Sequence, residues 1–538
     1  MPTRKPTEPR SAGRASGSVA SESKTLEYHV GTQHPNGSLL DSRHRYYQGM
    51  RPVLYKEYTD RPSVALPIGA PAEEPSALTV IGGFNSEVSE PDLPALARIL
   101  YYSAGITKTI RGYPFRAAAC TGALYHIELY VVSGAIADLE AGVYHYDPRR
   151  SELLRLREGD ARALLAKAAG GNERVLHAPV TIVYTDVYWR NAIKYQARAY
   201  RHSFWDAGTI LANTLAVANS LRIAAELVMG FVDDAVAALL GIDPAEELPL
   251  ALVPLGAGAA PAQTTRSELD EIQLDWEPKT SGRRAFPMIP EIHQETSLAS
   301  PEAVRAWLEG SAPEPESTND ETHAVRLHPL RAIDEPAAVP LHPAPEAAFP
   351  KVSLERAIVR RGSSRAFTGD PIQLEQLTTL LDRSIRPIRT YYRRTATLVE
   401  PYLIVNAVEG LASGVYRVLV TEREPRLSLQ PIRLGQSRAH AAQLALDQAL
   451  GGDAAVDIYY LSDLGQAIRT YGERGYRLAQ IEAAVMAGWG YLAAYALGIG
   501  ASGLTFYDEL VEDLLELSGE GLKVMFLLAV GVPAKDHR

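Results

Sequence analysis

The chain has 538 residues, 46% of them hydrophobic and 22% charged, with a formal net charge of -10. That length holds roughly two to four domains, the composition is ordinary for a soluble globular protein, and the acidic balance excludes the basic face that a nucleic-acid binder needs. Cys120, the single cysteine, excludes an intramolecular disulfide framework and a cysteine-rich metal site.

Residues 1–25 are polar and rich in Pro, Ser and Gly. They lack the apolar core of a secretory signal and read as a disordered tail of a cytoplasmic protein. Residues 26–77, rich in His, Tyr, Arg and Pro, read as an irregular docking segment. A first unit follows over 78–256. It holds a helix at 92–100 with an acidic first turn, strands at 128–133 and 180–184, a long helix from about Tyr195, and a closing strand at 250–255. The pair Asp233-Asp234 reads as a solvated helix start. Residues 257–350 read as a linker, with a short helix at 301–310 and five prolines in 334–350 that favour a stiff, extended connection. A second unit over 351–538 repeats the order: helix 374–381, strands 402–405 and 457–461, a helix from Tyr471, and strand 524–530.

The two units are copies. Lys194-Tyr195-Gln196-Ala197-Arg198-Ala199-Tyr200-Arg201 returns as Thr470-Tyr471-Gly472-Glu473-Arg474-Gly475-Tyr476-Arg477, and residues 128–144 return as 400–416 without a gap. A repeat of domain size reads as a fused dimer of α+β domains, an intramolecular pseudo-dimer. Residues 483–507 carry no charge and are long enough to span a bilayer. Their repeat partner, 207–231, carries Asn213, Asn219, Arg222 and Glu226, so a buried helix is expected. Its small residues suit close approach of two such helices. Arg198, Tyr200 and Arg201 recur in both copies and read as structural packing and ion pairing.

The copies have lost different pieces. Arg361, Ser363 and Arg365 place two guanidinium groups around a hydroxyl, which suits a phosphate and equally a solvated helix start. The first copy has Val80-Ile81-Gly82-Gly83-Phe84 there. The first copy alone has a loop of small residues at 116–125, including Cys120, Thr121 and Gly122, where backbone can approach a flat ligand or simply turn. The second copy is nine residues shorter between the corresponding helix and strand (103–128 against 384–400). His29, His34 and His44 lack metal-ligand spacing, Cys120 lacks a neighbouring histidine in sequence, and no dinucleotide fingerprint follows a strand. No metal site is expected.

These residues resemble the flavin-dependent nitroreductase superfamily, and within it the SagB/ThcOx-type dehydrogenases that oxidise azolines in peptides. The resemblance covers both copies and the Tyr28-His29 segment. It implies FMN at the junction of the copies, with Arg361, Ser363 and Arg365 as its phosphate clamp and Lys535 and Arg538 as a terminal basic pair. Residues 119–122 stand at the place of a Pro-Ser-x-Gly loop, with Ala119 and Cys120 replacing its Pro and Ser. Gly503, Leu504 and Thr505 fall where the family approaches the ring near N5 and O4, although a glycine-led helix stop is the alternative. Lys194-Tyr195 matches a pair implicated in azoline oxidation. A tyrosine becomes a usable base when an ammonium stabilises its phenolate, and the alternative is a capping or surface pair. Only the first copy keeps the lysine. The resemblance implies dehydrogenation of thiazoline or oxazoline rings in a ribosomally made peptide, with a cyclodehydratase complex as a possible partner. An NAD(P)H-driven nitro or quinone reductase and a degenerate flavin-binding scaffold are the rival readings. No membrane or nucleic-acid partner is expected, and further pairing of the pseudo-dimer stays open.

Overall fold

The computed structural model describes residues 23–35, 53–69, 75–83, 89–260, 274, 276–277, 285–310, 338–390, 397–421, 424–435, 438–515 and 521–534. His44, Lys535, Arg538 and residues 1–22 lie outside these; Ser23, Lys24 and Thr25, read as the end of the tail, instead cap and begin a helix.

Each copy builds one antiparallel sheet. The first runs, in spatial order, Ser63–Ala65, Glu152–Glu158, Gly142–Asp147, Ile127–Ser133, Val180–Asp186 and Leu248–Leu255. The second runs Val339–Leu341, Leu427–Leu434, Gly414–Val420, Glu400–Val405, Val456–Asp463, Leu522–Gly531 and Gly500–Leu504. The middle strands of both sheets are buried along most of their length, as their apolar runs require. The fold is therefore a tandem of α+β domains.

Two central helices, Ala199–Ser220 and Gly475–Ala496, lie against each other at the junction. A Cβ added to Gly208 would sit 2.4 Å from the Cβ of Ala484, and one added to Gly488 would sit 2.5 Å from that of Ala212. Gly208 and Ala484 occupy the same repeat position, as do Ala212 and Gly488, so the pseudo-twofold axis passes between them. Among the described residues no helix is long and apolar enough to cross a membrane; the uncharged 483–507 segment forms the end of the second central helix and then a strand.

Both central helices start later than the sequence pattern indicates. Lys194-Tyr195 ends a separate helix, Trp189–Tyr195, and Gln196 at φ 51 breaks the chain before Ala199. Tyr471 likewise ends Leu464–Tyr471, and Gly472 at φ 61 makes the same break.

The recurring arginines join the halves. Arg198 and Arg201 donate to Asp508 at 2.9 and 2.7 Å, and Arg474 and Arg477 donate to Asp233 at 2.7 and 2.6 Å. All six side chains are buried. Asp233 is thus no solvated helix start: its carboxylate neutralises two guanidinium groups of the other half. Each knot is closed by a small helix. Lys24–Gly31 offers the His29 carbonyl to Arg201 and the Thr32 carbonyl to Arg198. Met288–Glu295, inside the stretch read as a linker, offers the His293 carbonyl to Arg477 and the Thr296 carbonyl to Arg474. That stretch therefore contains a second copy of the docking helix, followed by the expected helix Pro301–Gly310.

Candidate functional site

The first copy's extra residues form a hairpin, Ile106–Ile110 with Tyr113–Arg116, turned by Arg111 and Gly112 at positive φ. Lys108 Nζ donates to the carbonyls of Arg360 (3.3 Å) and Arg361 (3.0 Å), and the Tyr113 hydroxyl donates to the Ala123 carbonyl at 2.7 Å. The hairpin thus ties the small-residue loop to the clamp of the other half.

Asp206, on the first central helix, shapes that loop. It accepts the Thr121 N–H at 2.9 Å, the Thr121 hydroxyl at 2.8 Å and the Cys120 thiol at 3.0 Å. Behind it His126 bridges Asp206 at 2.7 Å and Asp186 at 2.6 Å. Burial alone would lower the His126 pKa, but the two carboxylates outweigh it and hold the ring at about 9, a doubly donating imidazolium at neutral pH. Burial and Asp206 push the Cys120 thiol well up, so it stays protonated. Cys120, His126 and Asp206 offer ligand atoms within 4.8 Å of one another, so a histidine does neighbour the cysteine in space. These atoms already hydrogen-bond among themselves and nothing further marks a metal.

With Cys120 and Thr121 directed inward, Gly122 is left at the loop's exposed face. It sits at φ 65, and an added Cβ would lie 2.9 Å from Tyr195 Oη and 3.4 Å from Lys194 Nζ. Arg190, in the helix of Lys194, fixes that approach by donating to the Tyr125 carbonyl (3.1 Å) and Glu128 (2.5 Å). The Lys194 ammonium rests 4.9 Å from the Tyr195 ring centroid, a cation–π contact. The Tyr195 hydroxyl does not become acidic. Burial, then Asp206 and Cys120, raise its pKa, and Lys194 does not offset them. The Lys194 pKa is lowered, by burial and by Arg365. In the structure Tyr195 is the proton holder and Lys194 the group disposed to lose one.

Arg361 follows helix Leu354–Arg360 and is buried. Its Nε donates to the Ala117 carbonyl at 2.8 Å and its Nη2 to the Arg116 carbonyl at 3.0 Å. Part of its fork therefore holds the loop across the junction. Ser363 Oγ lies 3.2 Å from the Tyr491 hydroxyl, and Arg365 is exposed within electrostatic reach of Lys194. Lys108 is lowered by burial and by Arg361. Four cations, Lys108, Lys194, Arg361 and Arg365, thus gather where the halves meet, and among the described residues no carboxylate pairs with them. Like charges held together without an acid favour an anion.

Gly503 and Leu504 lie on a strand, Gly500–Leu504, rather than at a helix stop. Gly503 is exposed and donates its N–H to the Tyr491 hydroxyl. A Cβ there would meet Phe526 at 3.3 Å, and Phe526 stands 5.2 Å, centroid to centroid, from Trp205 of the first half. The hydroxyls of Ser364 and Thr505 are buried and unpartnered. Cations, orphaned hydroxyls, aromatic rings and two exposed glycines together suit a planar ligand that carries a phosphate.

The mirror-related region is built differently. A Cβ on Gly82 would sit 2.5 Å from the Arg383 carbonyl. The N–H of Leu227, at Gly503's repeat position, is bonded to the Arg389 carbonyl at 3.0 Å. Trp307 covers Gly230, where a Cβ would approach its ring to 2.9 Å. These contacts close Gly82, Leu227 and Gly230, whose counterparts on the other side carry the clamp and the exposed glycine edge.

Asp206, His126 and Tyr491 carry no motif. The available signal was positional: Glu482, at Asp206's repeat position, likewise accepts a loop N–H, that of Leu398, at 3.0 Å. An acid kept at one place in two apolar helices marks a loop anchor.

The nitroreductase family profile matches residues 86–257 and 358–532, one match in each half and most of the chain together. The chain belongs to the nitroreductase family, as a tandem of two such domains, and is an oxidoreductase of that family. A solved structure assigned to the nitroreductases, from Anabaena variabilis, superposes with a TM-score of 0.71 at 26% identity, covering 95% of this chain and 100% of that one. The chain is 30% identical over 164 residues to MJ1384 of Methanocaldococcus jannaschii, also assigned to the nitroreductases, covering 30% of this chain and 80% of that protein. It is 28% identical over 134 residues to the microcin B17-processing protein McbC of Escherichia coli. That match covers 24% of this chain and spans about half, 49%, of McbC.

Proposed function

We propose that the protein binds one FMN between its halves and dehydrogenates thiazoline or oxazoline rings of a ribosomally made peptide to the aromatic azoles. The observation that carries this reading is the set of cations Lys108, Arg361 and Arg365, with which no carboxylate pairs among the described residues, at a junction whose mirror image lacks them. The orphaned Ser364 and Thr505 hydroxyls and the exposed Gly122 and Gly503 fit the same ligand. The likeness to a peptide-processing protein supports the substrate class.

Arg361, Ser363 and Arg365 hold the phosphate in this reading, joined by Lys535 and Arg538. Cys120, Thr121 and Gly122 form the loop beside the ring, with Asp206 fixing the first two so that the Gly122 backbone faces it. Gly503, Leu504 and Thr505 line the ring edge. When bound, FMN supplies a two-electron acceptor, regenerated by oxygen. Lys194 Nζ takes the proton from the azoline carbon next to the carbonyl, because burial and Arg365 favour its neutral amine. Tyr195 keeps its proton and orients the substrate carbonyl by donating to it. A cyclodehydratase would make the azoline that this step consumes, and is the partner expected.

The test is incubation of the flavin-loaded protein with a thiazoline-containing peptide under air. Loss of two hydrogens without nicotinamide supports the proposal. Rapid flavin bleaching by NADPH with an inert peptide favours nitro or quinone reduction; MJ1384 is assigned to the nitroreductases.

A further inference from the structure

The second central helix turns Tyr491 and Tyr495, one helical turn apart, toward the clamp. Their repeat positions in the first central helix are Leu215 and Asn219, so this pair exists only in the half that carries the arginines. Tyr491 is 2% exposed. Its hydroxyl accepts the Gly503 N–H and lies 3.2 Å from Ser363 Oγ, with the Arg361 guanidinium 5.9 Å from its ring centroid. Tyr495 stands beside the clamp backbone, where a Cβ on Gly362 would be 3.6 Å from its hydroxyl.

An amide N–H only donates, so the Tyr491 oxygen receives Gly503, and Ser363 Oγ at 3.2 Å is an acceptor within reach of the phenol proton; the relay proposed here assigns that proton to it. The Ser363 proton is then free to point away from Tyr491. Buried, the phenol also resists ionisation and stays a donor.

We propose that Tyr491 is a positioning residue: through the relay Gly503 N–H to Tyr491 to Ser363, it presents the clamp serine as a donor to the flavin phosphate and links that end of the cleft to the ring edge. The inference rests on the flavin reading above and goes beyond it in naming what orients the clamp. Hydrogen bonds in such a chain polarise one another, so a phosphate on Ser363 would be felt at Gly503.

The test is titration of flavin-stripped protein with FMN and with riboflavin, which lacks the phosphate, read by quenching of flavin fluorescence. Wild type, Tyr491→Phe, Ser363→Ala and the double variant are compared, with thermal melting as the check on folding. Tyr491→Phe is expected to weaken FMN about tenfold, equivalent to about 1.4 kcal/mol, while riboflavin binds unchanged or tighter. The double variant is expected to bind FMN no worse than Ser363→Ala alone, because both changes cut one chain. Additive losses, an equal loss for riboflavin, or an unaffected Tyr491→Phe would overturn the relay. Should Phe not be accommodated, Ser363→Ala still tests the acceptor end, and FMN unchanged in that variant overturns the relay. If wild type binds neither flavin, the functional reading falls and the relay with it; if wild type binds FMN and the variants match it, only the relay falls.

Discussion

Gly208→Ala is a direct probe of how the two halves are held. The new Cβ would lie 2.4 Å from that of Ala484, with the Ile481 carbonyl oxygen at 3.0 Å and the Ala484 carbonyl carbon at 3.1 Å. Two methyl carbons need roughly 3.5–4.0 Å, so the central helices must separate locally. Overpacking of this kind costs about 1–3 kcal/mol, against a gain of about 1 kcal/mol from replacing a helical glycine. A net loss of up to about 2 kcal/mol is expected, or about 4–8 °C in melting temperature for a unit of this size. Ala484→Gly alone should also destabilise, by about 1–2 kcal/mol, through helix propensity and a lost buried methyl. Combining Gly208→Ala with Ala484→Gly moves one methyl across the pseudo-twofold, and stability should return to within about 1 kcal/mol of wild type. The assay is thermal denaturation of the four proteins in one buffer. Additive losses in the double variant, or a Gly208→Ala that melts above wild type, would refute the proposed interlock.

Other outcomes follow from the charges. Asp508→Ala leaves Arg198 and Arg201 buried without their acid and should cost about 3–5 kcal/mol, seen in denaturant titration. Burial would raise the Asp508 pKa, but Arg198 and Arg201 hold it below the usual carboxylate range; the knot's stabilisation is therefore present above the unfolded pKa near 4 and lost as pH falls below it. Asp457 runs the other way. Burial raises its pKa, only partly offset by Asn406 and Arg438, so stability drains as pH rises from the unfolded value toward the folded one. Asp457→Asn should raise the melting temperature by an amount that widens as pH rises above the unfolded carboxylate value near 4, and a constant difference would contradict this. Arg365→Ala should weaken FMN about tenfold to a hundredfold by loss of a charge-assisted bond, with a shallower salt dependence in fluorescence titration. Lys194→Ala and Lys194→Arg should each lower dehydrogenation about 10²- to 10⁴-fold with flavin still bound. Because the Lys194 pKa is lowered, wild-type rate should climb with pH below the ordinary lysine range, and that limb should be missing in both variants.

Much of the architecture was legible because duplication doubles the signal. The Tyr-Arg repeat announced two copies, and the small residues of 207–231 and 483–507 announced helices in close contact. What stayed hidden depends on contacts between distant segments. Asp233 looks solvated until Arg474 and Arg477 arrive from the other half, and Met288–Glu295 keeps too little of the Lys24–Gly31 sequence to show that it fills the same place. The phosphate clamp was visible as Arg361, Ser363 and Arg365, yet nothing local shows that Arg361 spends two donors on the carbonyls of Arg116 and Ala117. The acid-base assignment of Lys194 and Tyr195 shifted for the same reason. Adjacent in sequence, they suggest an ammonium beside a phenolate; in the fold, Asp206 lies near the phenol and Arg365 near the amine, and the proton preference reverses.

The central claim is a single flavin site made jointly by two unequal halves, and flavin stoichiometry tests it most directly. Purified protein saturated with FMN, freed of excess and measured by absorbance after denaturation should hold one FMN per chain. Two per chain would show that the mirror region around Gly82, Leu227 and Trp307 is a second site, and none would remove the basis of the proposed chemistry.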